Sequence, residues 1–418
     1  MNNTYNSATL LLDNKYPSHW KLIRARNLFR ESKEVVGSRT NFPLLSLTKG
    51  GIIFRDTENG KGKFPKDFES YKVVTPGQII FCLFDIDETP RTVGLSSIGG
   101  MITGAYDVFN INENIADPHF LYFYYLAVDD NKALKPYYSG LRKVVQMPKF
   151  LGIQIPIPPI DEQRKIVDFL SNKTNLVEAQ QKEREREIQL LIELREAEIS
   201  NVVLRGLNPD APTKEAQTIQ FGKIPAHWEE RKIQYCFSER SQKGFPNEQM
   251  LCATQSQGVI PQSMYANRVV VVNKDFDKQK LVKVGDFVIS LRSFEGGIEY
   301  AYYQGIISAA YTILTPKEVE NSEYFKHLFK SFNFIQLLQT CVTGIREGQN
   351  INYPFLSKHF IPVPPIEEQE AIVGYIRKKN SAIDDMIANL RAEIDTLTEY
   401  KQRLIADVVT GQVDVRNL

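Results

Sequence analysis

The sequence predicts an α+β protein. Two tandem globular domains of mixed helix and strand are each followed by a long α-helix, and the two helices pack as an antiparallel coiled coil in a pseudo-twofold arrangement. Three observations lead there. The chain of 418 residues repeats itself with a period of about 206, each repeat changes texture at a proline-rich block, and each block is followed by about 45 residues almost free of proline and glycine. A chain this long exceeds one ordinary domain. Its 42% hydrophobic and 24% charged residues are average globular usage, which excludes wholesale disorder.

The repeat rests on five blocks in one order. Tyr16-Pro17-Ser18-His19-Trp20 returns as Ile224-Pro225-Ala226-His227-Trp228, and these hold the only two tryptophans. Val74-Thr75-Pro76-Gly77-Gln78 returns as Val282-Lys283-Val284-Gly285-Asp286, Gly100 to Tyr106 as Gly305 to Tyr311, and Gly140-Leu141-Arg142 as Gly344-Ile345-Arg346. Ile155-Pro156-Ile157-Pro158-Pro159-Ile160-Asp161-Glu162-Gln163 returns as Ile361-Pro362-Val363-Pro364-Pro365-Ile366-Glu367-Glu368-Gln369. Offsets that drift while the order holds indicate a tandem duplication, with a period far longer than that of a solenoid.

The boundaries follow: a first globular domain over residues 1–155, a first long helix over 156–206, a second domain over 207–360 and a second long helix over 361–418. Within the globular parts, short apolar and β-branched runs such as Gln78 to Phe84, Val269 to Val272 and Phe287 to Leu291 read as strands. Ala116 to Val128 and Asn321 to Leu338 read as helices at matching places. The prolines of the repeated block impose a stiff extended lead-in. The acidic pairs Asp161-Glu162 and Glu367-Glu368 then suit the positive end of a helix dipole.

About 45 residues of helix make a rod of roughly 65 Å. In the second rod Val373, Ile376, Asn380, Ile383, Ile387, Leu390, Ile394, Leu397, Lys401, Leu404 and Val408 step alternately by three and four, the spacing of a coiled-coil seam, with Asn380 the kind of polar residue that fixes register. The first rod is less regular. Ile166, Leu170, Val177, Ile188, Leu191, Ile199 and Val202 share a stripe around the charged run from Lys182 to Glu187. One seam per half, and the short segment from Gly206 to Gln220 before the second domain, favour antiparallel packing of the rods on each other.

Several function classes lose support. The N-terminus has no cationic segment followed by a long apolar run, and no stretch of about 18 apolar residues occurs, so a cytoplasmic chain is expected. Cys82, Cys236, Cys252 and Cys341 lack CxxC spacing and are expected as buried small hydrophobes. The motifs GxxxxGK(S/T), GxGxxG after a strand, HExxH and GxSxG are missing. His19 and His227 recur beside the tryptophans, which reads as duplicated packing, and Glu295 with Glu299 has no matching pair in the first repeat. Neither catalysis nor a metal site is expected. The net charge of +1 hides a division: residues 1–155 carry 19 Lys and Arg against 15 Asp and Glu, and 206–360 carry 17 against 15, while the helical segments 156–205 and 361–418 carry 8 against 10 and 7 against 10. That distribution permits nucleic-acid binding by the globular parts. A rigid spacer between two related domains fixes the distance between two recognition surfaces, which suits DNA.

The paired Pro-x-His-Trp openings at 16–20 and 224–228, the duplicated proline-rich blocks at 155–163 and 361–369 and the long helix after each give the chain its family likeness. It resembles the DNA-specificity subunit of type I restriction-modification systems over nearly its whole length, departing modestly in the irregular first rod. The resemblance implies two target recognition domains, each reading one half of an asymmetric, split double-stranded DNA sequence. It further implies a helical spacer that docks two modification (methyltransferase) subunits, with restriction/translocase subunits in the full complex. S-adenosylmethionine, ATP and Mg are then expected on those partners and no cofactor in this chain, which carries neither an Asn-Pro-Pro-Tyr-like tetrad nor a helicase motif.

Candidate DNA contacts are cations near loop glycines: Arg55, Lys61, Lys63, Arg91, Arg142 and Lys143 in the first domain, and Arg240, Lys243, Arg268, Arg292 and Arg346 in the second, with Gln349 and Asn350, and also Asn59, placed to read adenine. Two other classes stay open. A coiled-coil scaffold joining two protein-binding domains would show no DNA specificity, and a fused nuclease or methyltransferase would show activity from this chain alone.

Overall fold

The computed structural model describes residues 5–7, 10–12, 15–38, 42–55, 68–140, 143–265, 275–317, 322–344 and 350–416. They form two compact units, Met1–Arg184 with Arg391–Leu418, and Glu185–Leu390. Their helices include α1 (Pro118–Asp130), α2 (Ile160–Arg205), α3 (Ser322–Leu328), α4 (Phe332–Thr340) and α5 (Ile366–Val409). The two long helices have 46 and 44 residues, starting at the isoleucine after each proline pair.

In the first unit a four-stranded antiparallel sheet has the order Phe29–Glu31, Asp107–Ile111, Ile79–Phe81, Val93–Leu95. Side chains alternate across it, as strand geometry requires. Ile79, Phe81 and Phe109 enter a core with α1 and the ends of both long helices, whereas Ile80 and Val108 enter a smaller core on the other face. Aromatic rings fill the first core, Phe81 standing 4.8 Å from Tyr125 and 5.0 Å from Phe150 between ring centroids. The smaller core is closed by a hairpin, Leu45–Thr48 with Gly51–Phe54, and by the pair Lys72–Val74 with Gly100–Ile102. Gly100 is required there because a Cβ would lie 2.5 Å from the Pro43 carbonyl oxygen and 2.7 Å from Leu45.

α1 begins two residues later than the sequence suggests. Asp117 caps it, accepting hydrogen bonds from the N–H groups of His119 (2.8 Å) and Phe120 (3.3 Å), with Pro118 in the first helical position. The proline-rich blocks are more than lead-ins. Gln154–Ile157 pairs antiparallel with Lys21–Arg24, Pro156 opposite Leu22, in a two-stranded ribbon that tolerates a residue without an N–H.

The second unit repeats the plan. Its sheet runs Phe237–Arg240, Thr312–Pro316, Phe287–Ile289, Glu299–Tyr300. Phe287 and Leu314 face the helical core, and Val288 and Ile313 face the hairpin core formed with Leu251, Val259, Val282 and Ile307. Phe360–Val363 pairs with Glu229–Lys232 as its counterpart does. The single helix expected over 321–338 is two. α3 stops at Leu328, and Ser331 restarts the chain as the cap of α4, accepting from the Phe334 N–H, because a serine side chain competes for backbone donors. The strand expected at Val269 to Val272 lies outside the described residues. All four cysteines are buried thiols.

Candidate nucleic-acid interface

The two duplicated motifs meet. In the first unit Glu162, in the first turn of α2, accepts from the Trp20 indole Nε1 (3.1 Å) and pairs with His19 Nε2 (2.8 Å). In the second, Glu368, in the first turn of α5, accepts from Trp228 Nε1 (2.9 Å) and pairs with His227 Nε2 (2.6 Å). Both tryptophans are buried, at 4% and 1% exposure. The glutamine that follows turns back: Gln163 Nε2 donates to the Pro158 and Ile115 carbonyls and its Oε1 accepts from the Asp117 N–H, and Gln369 Nε2 donates to the Pro364 carbonyl. Each tryptophan also receives the end of the other long helix. Gly411, past the end of α5, has a φ of 75° and lies against Trp20, and Gly206, past the end of α2, has a φ of 73° and lies against Trp228. A helix start and a helix end are thus fastened to each globular domain by the same residues. The repeated His-Trp and Glu-Gln pairs were visible in the sequence, but at a separation of 143 residues their contact was not.

Inside each unit the long helices run in opposite directions. In the first, Glu178 pairs with Lys401 (3.3 Å), Gln181 donates to Thr398 (2.7 Å) and Arg184 pairs with Glu393 (2.8 Å). In the second, Arg195 pairs with Asp384 (2.7 Å), and Glu198 meets Lys379 (3.4 Å) and the Tyr375 hydroxyl (2.6 Å). Of the seam positions, Ile166, Leu170 and Val177 are buried in the first unit, where Ile394 and Leu397 are half-buried. In the second unit Val373, Ile376, Ile383 and Ile387 are buried, and Ile188, Leu191, Asn380 and Leu390 are half-buried.

The candidate cations divide by environment. Arg91 is held by Asp129 (3.0 Å) and Asp130 (2.8 Å), and Asp129 further accepts from the Thr92 N–H and hydroxyl and from Lys132. Arg240 grips buried Asp286 through Nε (2.8 Å) and Nη2 (3.3 Å), while Asp286 also accepts from the Lys283 N–H and the Thr315 hydroxyl. Lys143, at a φ of 47°, pairs with Asp87 and Glu88. These three brace their own domains. Lys243 and Arg292 are exposed, as is Asn350, whose side-chain oxygen accepts from the Ile351 N–H. Arg55 sits half-buried at the end of the first hairpin, its N–H bonded to the Leu44 carbonyl (2.8 Å). Asn59, Lys61, Lys63, Arg142, Arg268, Arg346 and Gln349 lie outside the described residues.

Sequence reasoning passed over the residue after the glycine in the second repeat block. Gln78 Oε1 accepts from the Thr75 N–H (2.8 Å) as Asp286 Oδ2 does from the Lys283 N–H (2.8 Å), so this side chain holds the turn in both copies. Its recurrence was the available signal. Glu295 and Glu299 face different partners: Glu295 accepts from Gln255, while Glu299 is buried against Lys330 (2.5 Å), which also donates to the Gly296 and Gln255 carbonyls. Burial pushes the Glu299 carboxyl up to about 7 despite that lysine, and burial with Lys326 nearby pushes His327 down to about 4. Among the described residues no group of three His, Cys, Asp or Glu could hold a metal, and no helix is long and apolar enough to cross a membrane.

The family described as type I restriction modification DNA specificity domain matches residues 101–190 and 221–396, more than half of the chain. The chain belongs to that family. It is 23% identical over 316 residues to a specificity subunit named for the MjaX type I restriction enzyme of Methanocaldococcus jannaschii, covering 73% of this chain and 70% of that one. It is 24% identical over 284 residues to the type I restriction enzyme MjaVIII specificity subunit of the same organism, covering 64% of each, so the match spans just under two thirds of that relative. A solved chain from a study of complex assembly and conformational transition of the type I R-M system shares the fold, with a TM-score of 0.63 at 17% identity, covering 96% of this chain and all of that one.

Proposed function

We propose that this specificity subunit reads a bipartite, asymmetric double-stranded DNA target, one globular domain per half-site. In this reading α2 and α5 pair antiparallel along their length as the spacer and as the docking surface for two modification (methyltransferase) subunits. The observation that carries it is the duplication itself. Each unit has the same sheet order, the same His-Trp-Glu junction and the start of one long helix beside the end of the other. Two equal readers on two equal mounts suit a target of two parts. The opposed helix directions inside each unit support the antiparallel pairing.

Target contact is assigned to the exposed cations Lys243 and Arg292 and to Arg55, and also to Lys61, Lys63, Arg142, Arg268, Arg346, Gln349 and Asn350. Arg91, Lys143 and Arg240 brace their own domains through Asp129, Asp87 and Asp286. S-adenosylmethionine, ATP and Mg chemistry belongs to the partner subunits, with restriction/translocase subunits completing the complex. Replacing residues 1–155 with the corresponding domain of a relative should change one half of the methylated sequence and leave the other intact. A simultaneous change of both halves would sink the modular reading.

A further inference from the structure

In a duplicated chain, positions held in one backbone register whose chemistry nevertheless differs are the ones able to make two readers unlike. The hairpin layer contains such a position. Its interior is chemically the same in both domains: Leu45, Val74 and Ile102 are buried where Leu251, Val282 and Ile307 are. In both, the backbone continues past the second hairpin strand by one more ladder bond, from the Arg55 N–H to the Leu44 carbonyl (2.8 Å) and from the Gln262 N–H to the Met250 carbonyl (2.9 Å). Arg55 and Gln262 are therefore structural equivalents, and both are half-buried. One is a guanidinium and the other a carboxamide.

Each stands beside an apolar side chain left in water. Phe54 is 57% exposed next to Arg55, and Met264 is 59% exposed two residues after Gln262. Neither belongs to a core cluster of its domain, so packing gives no reason for either. An arginine makes a bidentate contact with guanine O6 and N7, a glutamine with adenine N6 and N7, and an apolar group beside them suits a thymine methyl. An asymmetric target requires that equivalent readers differ, and these do so in the chemistry that separates G from A.

Resting on the proposed reading of bipartite DNA, we infer that Arg55 and Gln262 are the equivalent specificity residues of the two half-sites. Arg55 reads a guanine and Gln262 an adenine, each flanked by its exposed apolar neighbour. Gln262 gains a role that its position in the sequence does not advertise.

The test uses the chain assembled with its modification subunits, and methylation rates on a DNA library carrying every single-base change of the mapped target. Arg55→Gln should move the preference at one base pair of the first half-site from G·C toward A·T, roughly tenfold or more against the original base, with the second half-site unchanged. Gln262→Arg should do the reverse in the second half-site alone. Arg55→Lys keeps the charge and can still donate to guanine, but without the planar fork it should keep the G·C preference at that one pair in weakened form. Unchanged preferences in all three variants, or an equal loss at every position, would overturn the assignment. A wild-type complex that methylates no two-part target would instead remove the reading beneath it.

Discussion

Cutting the carboxylate from Glu162 should loosen the first domain from the start of α2 by an amount the geometry fixes. Trp20 is 4% exposed, and Glu162 Oε1 accepts its Nε1 proton at 3.1 Å. In Glu162→Ala that buried donor loses its acceptor, which costs about 1–3 kcal/mol. The half-exposed His19 pair at 2.8 Å adds at most about 1 kcal/mol, and the lost first-turn charge about 0.5 kcal/mol. Glu162→Gln loses the same charge yet keeps an acceptor for Trp20 and an amide for the imidazole. The Ala variant should therefore fall about 2–3 kcal/mol below wild type and the Gln variant about 1 kcal/mol or less. The chain has only two tryptophans, one per unit, so urea unfolding followed by fluorescence in a Trp228→Phe background reports the first unit alone. Equal losses for Ala and Gln, or no loss for Ala, would show that the contact does not hold the junction. Glu368 should behave alike, with Trp228 as the reporter.

Three further outcomes are expected. Glu299, raised to about 7 from an ordinary 4.5, contributes stability that is full below about pH 4.5 and lost as pH rises through 7, whereas His327, lowered to about 4 from 6.5, contributes stability present above 6.5 and lost as pH falls through 4. The two oppose each other between 4.5 and 6.5, so Glu299→Gln should make the second unit's stability rise with pH there and His327→Gln should make it fall, as Trp228 fluorescence in a Trp20→Phe background would record; parental pH profiles in both variants would refute the assignment. Gly100→Ala should cost about 1–3 kcal/mol, since its Cβ meets the Pro43 carbonyl oxygen at 2.5 Å, and a denaturation midpoint equal to wild type would show that the hairpin gives way freely. Inserting four residues after Leu191 and four after Leu390 lengthens both helices by roughly 6 Å, between one and two base pairs at about 3.4 Å each; the gap between half-sites should grow by that much, and a stable, active variant with the original gap would detach the helices from spacing.

Repetition makes the architecture legible in the sequence. Five blocks in one order announce two copies, and the prolines mark the change of texture. The helices nevertheless start at Ile160 and Ile366, four and five residues after the expected bounds at 156 and 361, because the first proline of each block, Pro156 and Pro362, is drawn into a strand. What stayed hidden depends on contacts between distant residues. Glu162 reads as a favourable first-turn charge, and only folding delivers it to Trp20. Arg91 and Arg240 read as loop cations, yet Asp129 and Asp286, 38 and 46 residues away, occupy them. The break between α3 and α4 turns on one serine whose capping competes with helix propensity, a contest that apolar periodicity over 321–338 does not register. Gln262 carried no signal until its backbone bond matched that of Arg55.

The most direct measurement of two readers on one spacer is the sequence context of methylated bases in cells carrying this chain with its modification subunits. One asymmetric motif of two specified parts separated by a fixed unspecified gap is expected, lost when this chain is deleted. A contiguous motif, a palindromic one, or methylation that persists without the chain would contradict it.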